Sequence, residues 1–234
     1  MYRRIGKRAL DLVLGVLALV VLSPVMLVTA LLIRTKLGAP IFFRQERAGL
    51  RGRPFMLFKF RTMTDACDAH GNLLPDPERM TPLGHFLRST SLDELPGLLN
   101  VLMGDMSLIG PRPLLVTYLG RYTSFQNRRH EVKPGVAGYA ALFGGDSHDW
   151  DAIFRHDVWY VDNYSFWKDI EIMARILLAV IRRDSRPNSY RGDQSSVPEF
   201  KRSALSLQVS QYETYHYEAQ QPVPLMEREI VNQQ

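Results

Sequence analysis

The chain has 234 residues, 46% of them hydrophobic and 23% charged, with a formal charge of +5. That apolar content excludes a disordered chain, and a lone cysteine, Cys67, excludes a disulfide-stapled scaffold and fits a reducing compartment. The charge is lopsided, with +10 over residues 1–61 and −5 over the rest, which points to a localised anionic partner rather than general nucleic-acid affinity.

From Leu12 to Ile33 there are 22 residues without a charge. As a helix they reach about 33 Å, enough to cross a hydrocarbon core of roughly 30 Å. A cleaved signal peptide is excluded by the length of the run, the lack of a small-residue cleavage site and the immediate return of charge at Arg34 and Lys36. Arg3, Arg4, Lys7 and Arg8 precede the run, and Arg34, Lys36, Arg44 and Arg47 follow it, so both flanks read as cytoplasmic. Ser23-Pro24 lies near the middle, where proline removes a donor and kinks the helix, and Ser23 can cap the freed backbone group. Two readings stand at this point. One is a proline-kinked spanning helix; the other is a re-entrant helix-break-helix that enters and leaves through one leaflet.

Residues 40–63, PIFFRQERAGLRGRPFMLFKFRTM, interleave cations with aromatics. Phe55–Arg61 reads as a strand approached through a turn at Gly49 and Gly52. The cations suit phosphate binding, or a solvated hairpin held to anionic lipid at up to about 1 kcal/mol per arginine. Residues 64–80 read as a surface loop.

Leu95, Leu98, Leu99 and Leu102 fall at i, i+3, i+4 and i+7, an amphipathic helix. Ser91 and Glu94 fit a capping box at its start, which would leave Asp93 and Glu94 as cap acids and nothing more. Their neighbours suggest chemistry instead. Arg88 lies upstream, and Arg112 sits between Pro111 and Pro113, which stiffen its backbone. Two adjacent carboxylates among Lys59, Arg61, Arg88 and Arg112 can hold a metal-bound diphosphate, and Mg²⁺ favours one or two carboxylates plus phosphate oxygens.

Residues 156–183 read as an aromatic lead-in followed by a helix with Ile170, Met173, Ala174, Leu177, Leu178 and Ile181 on one face, suited to the membrane interface or to the core. Residues 190–234 hold seven glutamines and four tyrosines and read as an appendage able to mediate self-association into a homo-oligomer. No phosphate-binding loop, dinucleotide fingerprint or nucleophile elbow occurs.

The runs FFRQERAGLRGRPFMLFKFRTM, RSTSLDELPGLLNVLMGDMSLIGPRP and KPGVAGYA (133–140), in that order, resemble the bacterial sugar transferases. These are monotopic phosphoglycosyl transferases, and the likeness covers roughly residues 1–187 and fits the small type made of the catalytic domain alone. It implies an α+β fold. A re-entrant helix broken at Ser23-Pro24 (1–36) would anchor a mostly helical cytosolic domain (37–189) with a small β element and interfacial amphipathic helices, followed by the tail (190–234). It implies transfer of a sugar-1-phosphate from a UDP-sugar to undecaprenyl phosphate at the cytoplasmic membrane, with Mg²⁺ and membrane lipids as partners and no nucleic acid. Asp93 would be the nucleophile and metal ligand, and Glu94 its catalytic partner. Arg88 and Arg112 would bind phosphates, with Lys59 and Arg61 beside them.

One departure stands out. Where many relatives carry an Arg-Asn pair after the 138–144 segment, this chain has Gly145-Asp146, and Arg128 or Arg129 is the expected substitute cation. The competing reading is a non-catalytic membrane adaptor that binds anionic lipid or nucleic acid through its basic segment and uses Asp93-Glu94 only as a cap.

Overall fold

The computed structural model describes residues 1–143 and 150–181. Gly145, Asp146, Arg182, Arg183 and the tail from 190 onward lie outside them.

A π-helical turn, Tyr2–Gly6, leads into helix α1, Lys7–Lys36. The uncharged run makes this helix, and most of its large side chains are exposed, among them Val13, Leu17, Val21, Leu27 and Leu31. The helix continues through Pro24 rather than stopping there. Proline at 24 deprives the Val20 carbonyl of its usual i+4 donor, and the Ser23 hydroxyl donates to that carbonyl at 2.8 Å. The expected cap is therefore present, within a helix of 30 residues.

Both ends of α1 rest on the same body. At the N-terminal end, Lys7 donates to the Ile109 carbonyl, Arg8 to the carbonyls of Val101 and Leu102, and the Asp11 carboxylate accepts from the Ser107 hydroxyl and the Leu108 N–H. Lys7 also pairs at 2.8 Å with the fully buried Asp169, which accepts from the hydroxyls of Tyr2 and Tyr160. At the other end Ile33 packs against Phe60 and Leu87. Buried charges are tolerable here because each has a partner.

Strand β1, Phe42–Ala48, pairs antiparallel with β2, Pro54–Phe60, in the register Arg47↔Phe55, Gln45↔Leu57, Phe43↔Lys59. The turn contains Gly52 at φ +71° and Arg51 at φ 56°, so the glycine-rich connection does what the sequence suggests. The following loop holds a short helix α2, Asp76–Arg79, before α3, Pro82–Thr90. Thr81 caps α3 by accepting from the Gly84 N–H, and Pro82 fills its first position. A Cβ at Gly84 would lie 1.9 Å from the Thr62 carbonyl oxygen, so only glycine lets α3 press against the end of the hairpin.

Helix α4, Gly97–Met103, carries the leucine stripe, with Leu98 and Val101 buried. Strand β3, Ser107–Ile109, pairs parallel with β4, Gly135–Ala137, across a connection that includes the one-turn helix α5, Ser124–Asn127. The 156–183 stretch divides between α6, Trp150–Asn163, and α7, Phe166–Ile181. The buried side of α7 is not the expected stripe: Ile172, outside it, is buried, while Leu177 and Leu178, within it, are exposed along with Trp167. Among the described residues the result is a helix-rich α+β body with two small two-stranded sheets.

Candidate active site

A cleft opens where the hairpin, α4 and the Gly110–Pro113 segment meet. Its wall includes Arg47, Lys59, Glu94 and Arg112, with Leu57, Phe58, Met106 and Val136 as apolar lining. The strand period of two explains part of this set, because Arg47, Leu57 and Lys59 fall on one face of the β1–β2 hairpin in the observed register.

Glu94 is the hub. Its Oε1 accepts from Lys59 Nζ at 2.9 Å and from Arg112 Nη2 at 2.6 Å. Burial alone would raise the Glu94 carboxyl, but Arg112 and Lys59 outweigh it and hold the group well below the usual carboxylate range. Burial pushes the Lys59 ammonium down, with Arg112 adding to the shift and Glu94 opposing it.

Asp93 and Glu94 do not begin an α-helix, and here the sequence expectation needs correcting. Ser91 adopts a left-handed conformation, φ 62°, that ends α3, and its side chain makes no capping bond. Residues 92–94 form a single 3₁₀ turn, and α4 starts only after Pro96. Proline at 96 has no N–H to give the Leu92 carbonyl and its ring crowds that turn, so the α-helix does not extend back to Ser91 on its leucine pattern. Glu94 is thereby free of capping duty and turned to the cations, while Asp93, one residue earlier, is 6% exposed. The adaptor reading, which needed the pair as a cap, loses its basis.

Several residues fix this geometry. Asn100 is fully buried, and its Oδ1 accepts from the Phe58 N–H while its Nδ2 donates to the Met56 carbonyl. It completes the edge of β2 that β1 does not pair, and so ties Lys59 to the helix that follows Glu94. The backbone at Arg112 is held by Arg129, whose Nη2 donates to the Arg112 carbonyl at 2.7 Å and which pairs with buried Asp157. Gly135 donates to the Pro111 carbonyl, and a Cβ there would lie 2.1 Å from the Gly110 nitrogen. The flanking prolines and this close backbone approach hold Arg112 on Glu94.

The remaining expected residues sit apart from the cleft wall. Arg88 Nε donates to the Thr62 hydroxyl at 3.1 Å. Arg61 is buried and donates to the carbonyls of Leu37, Ala39 and Met63 and to Asp65, so it fastens the exit of α1 to the hairpin. Neither proposed substitute for the missing cation lines the cleft: Arg129 is buried on Asp157, and Arg128 pairs with Glu131 and Asp162. Arg47 was assigned by sequence to the membrane flank. Its place in the cleft follows from alternation across the Gly49–Gly52 turn, a signal that was legible.

The family model for bacterial sugar transferases matches residues 2–183, which contain every element of this site. The chain belongs to the bacterial sugar transferase family. This sugar transferase is 51% identical over 175 residues to an uncharacterized sugar transferase, EpsL, of Bacillus subtilis, covering 75% of this chain and 87% of that one. It is 37% identical to a UDP-N-acetylgalactosamine-undecaprenyl-phosphate N-acetylgalactosaminephosphotransferase of Aeromonas hydrophila, over 75% of this chain and 43% of the relative. It is 38% identical to a UDP-glucose:undecaprenyl-phosphate glucose-1-phosphate transferase of Klebsiella pneumoniae, over 71% and 38%. The sugar transferase thus spans about two-fifths of those two relatives and most of the Bacillus one.

Among the described residues no three metal-ligating side chains cluster, so there is no protein cage for a metal. Mg²⁺ does not require one. A single carboxylate plus diphosphate oxygens suffices.

Proposed function

We propose that this protein transfers a sugar-1-phosphate from a UDP-sugar to undecaprenyl phosphate, releasing UMP, as the first membrane step of glycan assembly. The observation that carries the proposal is Glu94 in the cleft wall, gripped by Lys59 and Arg112, with the buried Asp93 next to it on the same turn. The donor and acceptor classes are those in the names of the relatives from Aeromonas and Klebsiella.

In this mechanism an Asp93 carboxylate oxygen attacks the phosphorus that bears the sugar. The bond from that phosphorus to the oxygen bridging the two phosphates breaks, UMP departs, and a phosphosugar ester remains on Asp93. A phosphate oxygen of undecaprenyl phosphate then attacks the same phosphorus and expels the carboxylate. Lys59 and Arg112 neutralise charge on the departing phosphate, Arg88 assists phosphate binding, and Glu94 keeps the two cations aimed and takes part in acceptor attack. Asp93 would hold Mg²⁺ alongside the donor's phosphates, and the ion would supply further charge neutralisation there. Arg61 has its role in the fold.

The same reading sets the protein in the cytoplasmic membrane as a monotopic enzyme with its catalytic domain in the cytosol. Two features support a re-entrant α1: cations at both ends, and both ends seated on one body. Between Gly15, which meets Val101 and Leu102, and Met26, which joins the Ile33 cluster, lie ten residues, about 15 Å of helix, or half a hydrocarbon core. Tags at both termini in intact cells test this, and an externally accessible N-terminus would exclude re-entry. A panel of UDP-sugars assayed with undecaprenyl phosphate, with and without Mg²⁺, tests the reaction. UMP release with one or more donors is expected, and none with any would overturn the proposal.

A further inference from the structure

Of the charged groups in the cleft wall, Arg47 is the one whose surroundings do not account for it. It is 5% exposed, yet among the described residues it forms no ion pair. Nη1 donates to the Pro113 carbonyl at 3.3 Å, Nη2 to Gln45 Oε1 at 2.5 Å, and the buried Nε–H has no hydrogen-bond partner. Buried charges are ordinarily matched by an opposite charge. The one carboxylate in this wall, Glu94, is already shared by Lys59 and Arg112, so the wall carries three cations against one anion.

We propose that Arg47 is a substrate-binding residue that, together with Lys59 and Arg112, holds a substrate phosphate in the cleft. This rests on the phosphate-transfer reading above and adds a residue to it. A guanidinium presents a planar fork of donors matched to phosphate oxygens, and an orphaned N–H beside a long carbonyl contact leaves it able to turn toward an arriving anion. The phosphate belongs either to the donor's diphosphate or to the lipid acceptor's monoester, and both present the same oxygens.

The experiment is titration calorimetry on the full chain in detergent, with inorganic pyrophosphate for the donor and dodecyl phosphate for the acceptor. Wild type should bind at least one. Arg47→Gln should weaken that binding about tenfold or more, Arg47→Lys should fall between, and Arg44→Gln, at an exposed arginine of the same strand, should match wild type. Loss toward pyrophosphate assigns the donor, and loss toward dodecyl phosphate assigns the acceptor. The ligand-free thermal midpoint should stay level or rise in Arg47→Gln, because a buried cation without a carboxylate has been removed. A lowered midpoint in the Gln and Lys variants, with anion affinities equal to wild type, would make Arg47 structural and overturn the proposal. So would a wild-type protein that binds neither anion. These affinities need no turnover, so failure of the Asp93 chemistry would leave them unmoved and the two readings fail separately.

Discussion

Glu94→Gln removes the carboxylate that two cleft cations share while keeping the shape of the side chain. Glu94 Oε1 lies 2.6 Å from Arg112 and 2.9 Å from Lys59, with side-chain exposures of 18% for Glu94 and 21% for each cation. At an effective dielectric constant of about 20, each attraction is roughly 6 kcal/mol before desolvation is subtracted. Breaking a buried pair from one side costs about 3–5 kcal/mol, and the partial exposure here puts the expected loss near 3 kcal/mol. At about 2–4 °C per kcal/mol for a chain of this size, the thermal midpoint should fall by roughly 6–12 °C. Thermal scans of the full chain in detergent at one fixed heating rate measure it. Lys59→Met in the same background removes one stranded cation, so the double variant should be more stable than the sum of the singles by about 1–2 kcal/mol. The sign with pH follows from the depressed Glu94 carboxyl. Its contribution is fully present above the ordinary carboxylate range and lost as pH falls below it, so the effect should be constant from about pH 6 to 8. A Glu94→Gln midpoint within about 2 °C of wild type, or an additive cycle, would refute the hub role.

Three further outcomes are expected. Ser23→Ala strands the Val20 carbonyl beside Pro24 and should cost about 1 kcal/mol in a bilayer nanodisc, and an unchanged midpoint would contradict the cap. Gly135→Ala puts a methyl 2.1 Å from the Gly110 nitrogen and should lower stability by more than about 3 kcal/mol, read as lost yield and protease resistance; a wild-type midpoint would disprove the close approach. Burial, with Arg129 adding, pushes the His130 imidazole down to about 4. The unfolded chain therefore binds the extra proton between pH 6.5 and 4, and stability is lost as pH falls through that window, by up to about 3 kcal/mol. His130→Gln should flatten the acid slope of stability, whereas parallel slopes would show that His130 does not titrate there.

What could be read from sequence was what repeats with a period or breaks one. The uncharged run gave α1, alternation and glycines gave the hairpin, and leucine spacing gave α4. Ser23 as the cap for a carbonyl freed by Pro24 also follows from local chemistry alone. The capping box failed because Pro96 and the left-handed Ser91 override a four-residue pattern. The guanidinium of Arg61 is claimed by three carbonyls, two of them more than 20 residues away, which no local pattern marks. The Arg129–Asp157 pair, Asn100 and the Lys7–Asp169 pair act across 28 to 162 residues, and nothing local marks them. Lys59, Glu94 and Arg112 were the part of the site the chain order already suggested, and they do meet.

The proposed covalent step on Asp93 can be tested directly. The full chain is incubated with its UDP-sugar in the absence of lipid acceptor, quenched in acid and digested for mass spectrometry. Expected are one sugar-phosphate on the peptide carrying Asp93, a matching burst of UMP, discharge of the adduct on adding undecaprenyl phosphate, and none of these in Asp93→Asn. Turnover without an adduct, or an Asp93→Asn variant that still releases UMP, would contradict it.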